Sequence, residues 1–172
     1  FCCESFAYQE DKRVSERYEY RILNRLHIFG GVDTYKTVIF DLDGTLIDSS
    51  EGIVHAVLEA LRNLRYPILD EGLIKSLIGP PIGKEIVKEL DYGDEELKEF
   101  NAEFRDLYKT KYLMEAEIYP GIEGLLSRLS DQKFMAVATN KRLDYTLILM
   151  DGLGLSKYFD IIEGSDLEGR LE

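Results

Sequence analysis

Apolar residues along this chain fall into short runs that each empty into a polar cluster, and longer stretches with helical spacing. Thr37, Val38, Ile39 and Phe40 form the first run and lead into Asp41-Leu42-Asp43-Gly44-Thr45-Leu46. A β-branched and aromatic run fits a buried strand, and acids directly after it belong at the strand's carboxyl end, where the backbone leaves the sheet. Residues 134–138 form a second run ending in Thr139-Asn140, and 159–162 a third ending in Gly164-Ser165-Asp166. Between them, 143–150 reads as a helix closed by Gly152 and Gly154. Ile122, Leu125, Leu126 and Leu129 mark one face of an earlier helix begun by Pro120-Gly121. Strands alternating with helices predict right-handed βαβ units, an α/β fold and a parallel sheet covered on both faces. In such a sheet Asp41, Asp43, Thr139, Asn140, Ser165 and Asp166 collect on one rim, where open α/β sheets bind ligands.

The stretch 49–117 breaks this alternation and reads as a separate helical insert. Ile53, Val54, Val57, Leu58, Leu61 and Leu64 form a stripe after Ser49 or Ser50 as cap, a second helix surrounds 82–90, and a third covers 94–112. Together they predict a small bundle above the rim. Residues 1–34 carry no strand-like run and form an appended segment, helical or disordered, in which Val14, Tyr18, Ile22, Leu26 and Phe29 could share a helix face ended by Gly30-Gly31. The expected division is therefore 1–34, a core of 35–48 with 118–172, and the insert 49–117.

At 172 residues, 45% hydrophobic and 31% charged, the chain has the composition of an ordinary soluble globular protein with one core and a small satellite. No apolar stretch approaches the roughly 20 residues of a membrane helix. A net charge of −12 argues against a nucleic-acid partner, because phosphate backbones are held mainly by Lys and Arg. It leaves room for a small phosphorylated metabolite if a metal ion and a few local donors reverse the field. Cys2 and Cys3 are adjacent and cannot staple distant segments, and the N-terminus lacks a secretory pattern, so a cytoplasmic setting is expected. A first residue that is Phe rather than Met points to a processed chain or a fragment.

Two carboxylates separated by one apolar residue can converge on a cation, and an Asp can form an acyl-phosphate. Gly44 lets the chain turn tightly and bring N–H groups near an anion. Asp41-Leu42-Asp43-Gly44-Thr45-Leu46 resembles the first motif, DxDGT, of the haloacid dehalogenase-like hydrolases. That resemblance implies a Rossmann-like core with an α-helical cap at 49–117, and a phosphate monoester hydrolase. It makes Asp41 the nucleophile and Asp43 the acid/base, a role that calls for neighbouring negative charge. It implies Mg²⁺ held by Asp41 and by Asp43 through its backbone carbonyl, and phosphate contacts from Gly44, Thr45, Thr139 (the second motif) and Asn140. Lys141 is a candidate charge partner at the rim, against which an exposed lysine in a first helical turn is the more frequent case. Ile78-Gly79-Pro80-Pro81-Ile82 resembles a cap loop of phosphoglycolate phosphatase-like members, and Tyr119-Pro120-Gly121 the hinged return to the core.

The family's third and fourth motifs, a lysine and an acidic pair, find no counterpart before Glu172. The expectation is the front part of a phosphoglycolate phosphatase-like enzyme, the alternative a 5′-nucleotidase-like one, with little turnover from these residues alone. A reading of another class is a non-catalytic truncated or split chain that binds a partner through its open sheet edge.

Overall fold

The computed structural model describes residues 35–165. The expected appended segment 1–34, with Cys2 and Cys3, and the stretch from Asp166 onward lie outside the described residues.

Among the described residues, strand β1 (Thr37–Phe40) stands at one edge of a three-stranded parallel sheet. Ile47–Asp48 (β2) pairs antiparallel with Glu117–Ile118 (β3), and between these two passages lies the helical insert. Its helices are α1 (Ser50–Leu64), α2 (Glu71–Ser76), α3 (Ile82–Glu89) and α4 (Asp94–Leu107), the last running on into a π-helical turn at Tyr108–Tyr112. The chain then returns through α5 (Ile122–Ser130), β4 (Phe134–Arg142), α6 (Leu143–Gly152) and β5 (Ile161–Ser165). Sheet order is β1-β4-β5.

Register follows burial. Val38 pairs with Met135, Phe40 with Val137, and Val137 with Ile162, so these side chains share a face that carries the core. Met135 and Val137 are fully buried there. The opposite face differs from the expectation of a sheet covered on both sides: Ile39 is 65% exposed, and Ala138 and Glu163 are also exposed among the described residues. At the other end of the register, the buried Asp160 takes the place of a strand residue, accepting the Met135 N–H on its carboxylate at 2.8 Å and donating its own N–H to the Met135 carbonyl at 2.8 Å.

The insert forms around α1, whose stripe buries Val54, Val57 and Leu61 against α4. Along α4 and into the turn that follows it, Phe100, Phe104 and Tyr108 recur every four residues and therefore lie one above the next. Their rings stack with centroids 5.9 and 5.6 Å apart. The ladder ends at the π turn, closed by a Leu113 N–H to Tyr108 carbonyl bond of 2.7 Å.

Candidate active site

The turn after β1 is organised by Leu42, which is fully buried and whose carbonyl accepts the N–H groups of Thr45, Leu46 and Ile47 at 3.2, 2.9 and 3.2 Å. Gly44 sits at φ 77°, a left-handed conformation that costs a glycine little, and donates its N–H to the Ile47 carbonyl at 2.9 Å. The N–H groups of Gly44 and Thr45, expected to face an anion, are thus spent inside the turn. What the turn presents outward is Asp41, exposed, one carboxylate oxygen accepting the Leu42 N–H at 2.8 Å. Gly44 and Thr45 are exposed beside it.

Asp43 points to a different environment and is half-buried. Its Oδ1 accepts the Ser49 hydroxyl at 2.6 Å, and both oxygens accept from the Lys141 ammonium at 3.1 Å. Lys141 also donates to the Tyr108 hydroxyl at 2.9 Å and lies 5.0 Å from that ring's centroid. Its side chain is only 7% exposed. Burial pulls the Lys141 ammonium toward neutrality, but Tyr108 and Asp43 together outweigh it and leave its pKa above the ordinary lysine range. Burial pushes the Tyr108 phenol up, against the opposing pull of Lys141.

This arrangement corrects the expectation for Lys141, which is neither exposed nor in a first helical turn. Strand β4 does not stop at Thr139-Asn140: it continues to Arg142, paired with Ser165 of β5 after a register shift, and α6 starts only at Leu143. Lys141 is therefore a strand residue aimed at the rim. Asn140 is exposed, its carbonyl held by the Ser165 hydroxyl at 2.9 Å, and the helix start lies beyond it rather than directly behind it. Thr139 is 4% exposed and its hydroxyl oxygen accepts the Lys141 N–H at 3.3 Å. Ser49, expected as a helix cap, turns its hydroxyl to Asp43, while the Asp48 carboxylate accepts the Ser50 N–H at 2.9 Å. The charge beside Asp43 is accordingly a cation, not the anion its acid/base role called for.

Tyr108 is the residue at this site that sequence reasoning missed, while Lys141 and Ser49 stood out in other roles, the first as an exposed helical lysine in preference to a charge partner and the second as a helix cap. A lysine's burial leaves no local signature. For Tyr108 a signal existed, the four-residue spacing of Phe100, Phe104 and Tyr108, which aims an aromatic hydroxyl from the insert toward the rim.

No cluster of three or more metal-binding side chains occurs among the described residues. Asp41 nevertheless offers an exposed hard-oxygen donor, and Mg²⁺ commonly takes one or two carboxylates while keeping waters and substrate phosphate oxygens as its other ligands. Lys141 and Ser49 occupy the Asp43 carboxylate, so the part of Asp43 left for such an ion is its backbone carbonyl, the donor that the resemblance assigns to it. The residues present fit part of a Mg²⁺ site.

The family model described as haloacid dehalogenase-like hydrolase matches residues 38–170. The probable phosphatase IndB of Dickeya dadantii is 36% identical over 135 residues, covering 76% of this chain and 59% of that protein. A phosphoglycolate phosphatase of Yersinia pestis is 31% identical over 135 residues, covering 75% and 58%. Among solved structures, that of a predicted phosphatase from Clostridium acetobutylicum superposes with a TM-score of 0.73 at 34% identity, covering 80% of this chain and 64% of that one. The chain thus spans less than two thirds of the length of these relatives.

Proposed function

The chain belongs to the haloacid dehalogenase-like hydrolases, and we propose that its residues serve a Mg²⁺-dependent phosphate monoester hydrolase of the phosphoglycolate phosphatase kind. The observation that carries this reading is the placement of two carboxylates two residues apart in unlike environments, Asp41 exposed and Asp43 half-buried and gripped by Lys141. Pairs of acids whose surroundings differ are suited to different tasks in one reaction.

Asp41 is the nucleophile. Its outward carboxylate attacks phosphorus, a bond forms to one carboxylate oxygen, and the alkoxide departs with the electron pair of the broken P–O bond. Asp43 takes up a proton from solvent once the Lys141 grip loosens and passes that proton to the alkoxide. Asp43, once more a carboxylate, then takes a proton from the water that cleaves the aspartyl-phosphate. A bound Mg²⁺, held by the Asp41 carboxylate and the Asp43 carbonyl, would neutralise the charge of the phosphate facing Asp41. Thr139 and Asn140 lie at the same rim as candidate phosphate contacts.

The test is turnover of the full reading frame carrying these residues, with and without Mg²⁺, against phosphoglycolate and nucleoside 5′-monophosphates. Asp41→Asn should remove turnover to background. Hydrolysis that persists in Asp41→Asn, or no Mg²⁺-dependent release of phosphate from any ester, would end this reading. Preference for nucleotides would favour the 5′-nucleotidase-like alternative.

A further inference from the structure

We propose that the cavity where α1, α2 and the π turn meet is a binding site for a small zwitterion with an apolar body, of the class of a free α-amino acid with an aliphatic or aromatic side chain. Arg62 takes its carboxylate and Glu71 its ammonium. None of the residues that line this cavity belongs to the rim described above.

The cavity has a volume of about 380 Å³, within the range of small-molecule sites, and is lined by His55, Leu58, Arg62, Glu71 and Tyr112. His55, Leu58 and Arg62 recur at three- and four-residue spacing on α1 and so line one strip of that helix. Leu58, 6% exposed, is its apolar floor. Both α2, which begins at Glu71, and the π turn, which ends at Tyr112, pack on α1. The Tyr112 ring is fixed in place, since its hydroxyl donates to Glu59 and its centroid lies 5.8 Å from that of the tilted His55 ring.

Charge singles out two of these residues. Around the cavity the other charged groups are matched between elements: the Lys75 ammonium donates to Glu51 at 2.5 Å, His55 Nδ1 donates to Glu115 at 2.6 Å, and Lys111 donates to Glu59. Among the described residues the Arg62 guanidinium and the Glu71 carboxylate have no hydrogen-bond or ion-pair partner, and although both line one cavity they stand too far apart to bond each other. Opposite charges held apart over an apolar floor suit a ligand that carries both charges itself. Its carboxylate meets the N–H fork of Arg62, its ammonium donates to Glu71, and its side chain covers Leu58 and the Tyr112 ring. Because a carboxylate only accepts, the Glu115 bond puts the proton on His55 Nδ1 and leaves Nε2 of the neutral ring as a further acceptor for the ammonium. A simple anion would be repelled by Glu71 and a simple cation by Arg62, so neither satisfies both residues.

The experiment titrates L-leucine and L-phenylalanine into the full reading frame and follows the His55 ring by NMR, its resonances assigned by their loss in His55→Gln. Phosphatase turnover plays no part in the readout. At least one of the two amino acids should move these resonances saturably, with a Kd of roughly 1 mM or tighter. Arg62→Ala and Glu71→Gln, both at exposed positions, should each raise that Kd by about tenfold or more with Tm unchanged. Lys88→Ala, which removes an equal charge from α3 outside the cavity, should leave it where it was. The amide of the bound amino acid, which lacks the carboxylate, and its N-acetyl derivative, which lacks the ammonium, should each bind at least about tenfold more weakly. No saturable shift with either amino acid, a Kd indifferent to Arg62→Ala or Glu71→Gln, or derivatives that bind as tightly as the zwitterion would overturn the proposal. So would inorganic phosphate moving the same resonances as strongly, which would make this an anion site, or shifts that grow with protein concentration alone, which would make it an interface between copies.

Discussion

Replacing Gly52 by alanine tests how the start of α1 is seated against the end of the insert. A methyl at Gly52 would stand 2.4 Å from the Tyr112 carbonyl oxygen, 3.2 Å from that of Glu115 and 3.3 Å from the Glu115 Cβ. The nearest atom is backbone, not the end of a flexible side chain, so relief requires the Tyr112–Glu115 segment to retreat by more than half an ångström. Overpacking of this kind costs about 1–3 kcal/mol, and a backbone clash belongs at the upper end. Alanine recovers at most about 1 kcal/mol through helix propensity. The net expectation is a loss of about 2 kcal/mol, or a fall in Tm of about 4–8 °C for a chain of this size. Gly124, on α5, is the control: a methyl there meets nothing within 4 Å, and Gly124→Ala should stabilise by about 0.4–1 kcal/mol. Urea and thermal unfolding followed by far-ultraviolet circular dichroism would read both, with tyrosine emission as second probe because the chain has no tryptophan. Gly52→Ala as stable as the parent, with Gly124→Ala stabilised, would show that the close approach does not hold in solution.

Asp160→Ala removes the carboxylate that accepts the buried Met135 N–H and should destabilise by about 1–3 kcal/mol, with faster exchange of the Met135 amide; Asp160→Asn, which keeps an acceptor, should lose less. The Tyr66 phenol is pushed up to about 12 by burial first and then by its 2.7 Å hydrogen bond to Glu99. Because the folded value lies above the unfolded value of about 10, its contribution is fully present below pH ~10 and is lost as pH rises toward 12. Tyr66→Phe should flatten stability relative to the parent in that window, and an absorbance titration should lose one late-ionising tyrosine; a profile unchanged by the substitution would contradict the assignment.

What could be read along the chain was what local physics decides. The run Thr37–Phe40 became β1 because β-branched and aromatic residues suit a pleated, half-buried surface, and the stripe after Ser49 became α1 because its apolar spacing has the helical period. Helix α2 escaped notice because it has six residues and buries only Ile74, too little for a period; its start depends on Asp70, whose carboxylate accepts the N–H groups of Gly72 and Leu73. Strands β2 and β3 have two residues each and exist through one another. The extension of β4 was illegible for a related reason. Thr139-Asn140-Lys141-Arg142 is polar and resembles a helix start, yet Arg142 finds a backbone partner in Ser165.

The site divides along the same line. The acids of the turn after β1 are legible because the strand that delivers them is contiguous with them. Lys141 is not, because a lysine's burial is decided by its partners, and these lie 98 and 33 residues away in Asp43 and Tyr108. That pairing also bears on the objection raised by composition. A chain of net charge −12 repels a phosphate ester, and two adjacent carboxylates make the rim its worst place to bind one. With Asp43 neutralised by Lys141, the charge that an incoming phosphate must meet at the turn is chiefly that of Asp41, the carboxylate proposed above to hold a divalent cation. Lys141→Met should therefore weaken the binding of inorganic phosphate as well as alter Asp43. Titration calorimetry against the full reading frame with Mg²⁺ present would show it as a Kd raised by at least about tenfold, and an unchanged Kd would mean that the lysine orients Asp43 without relieving the field.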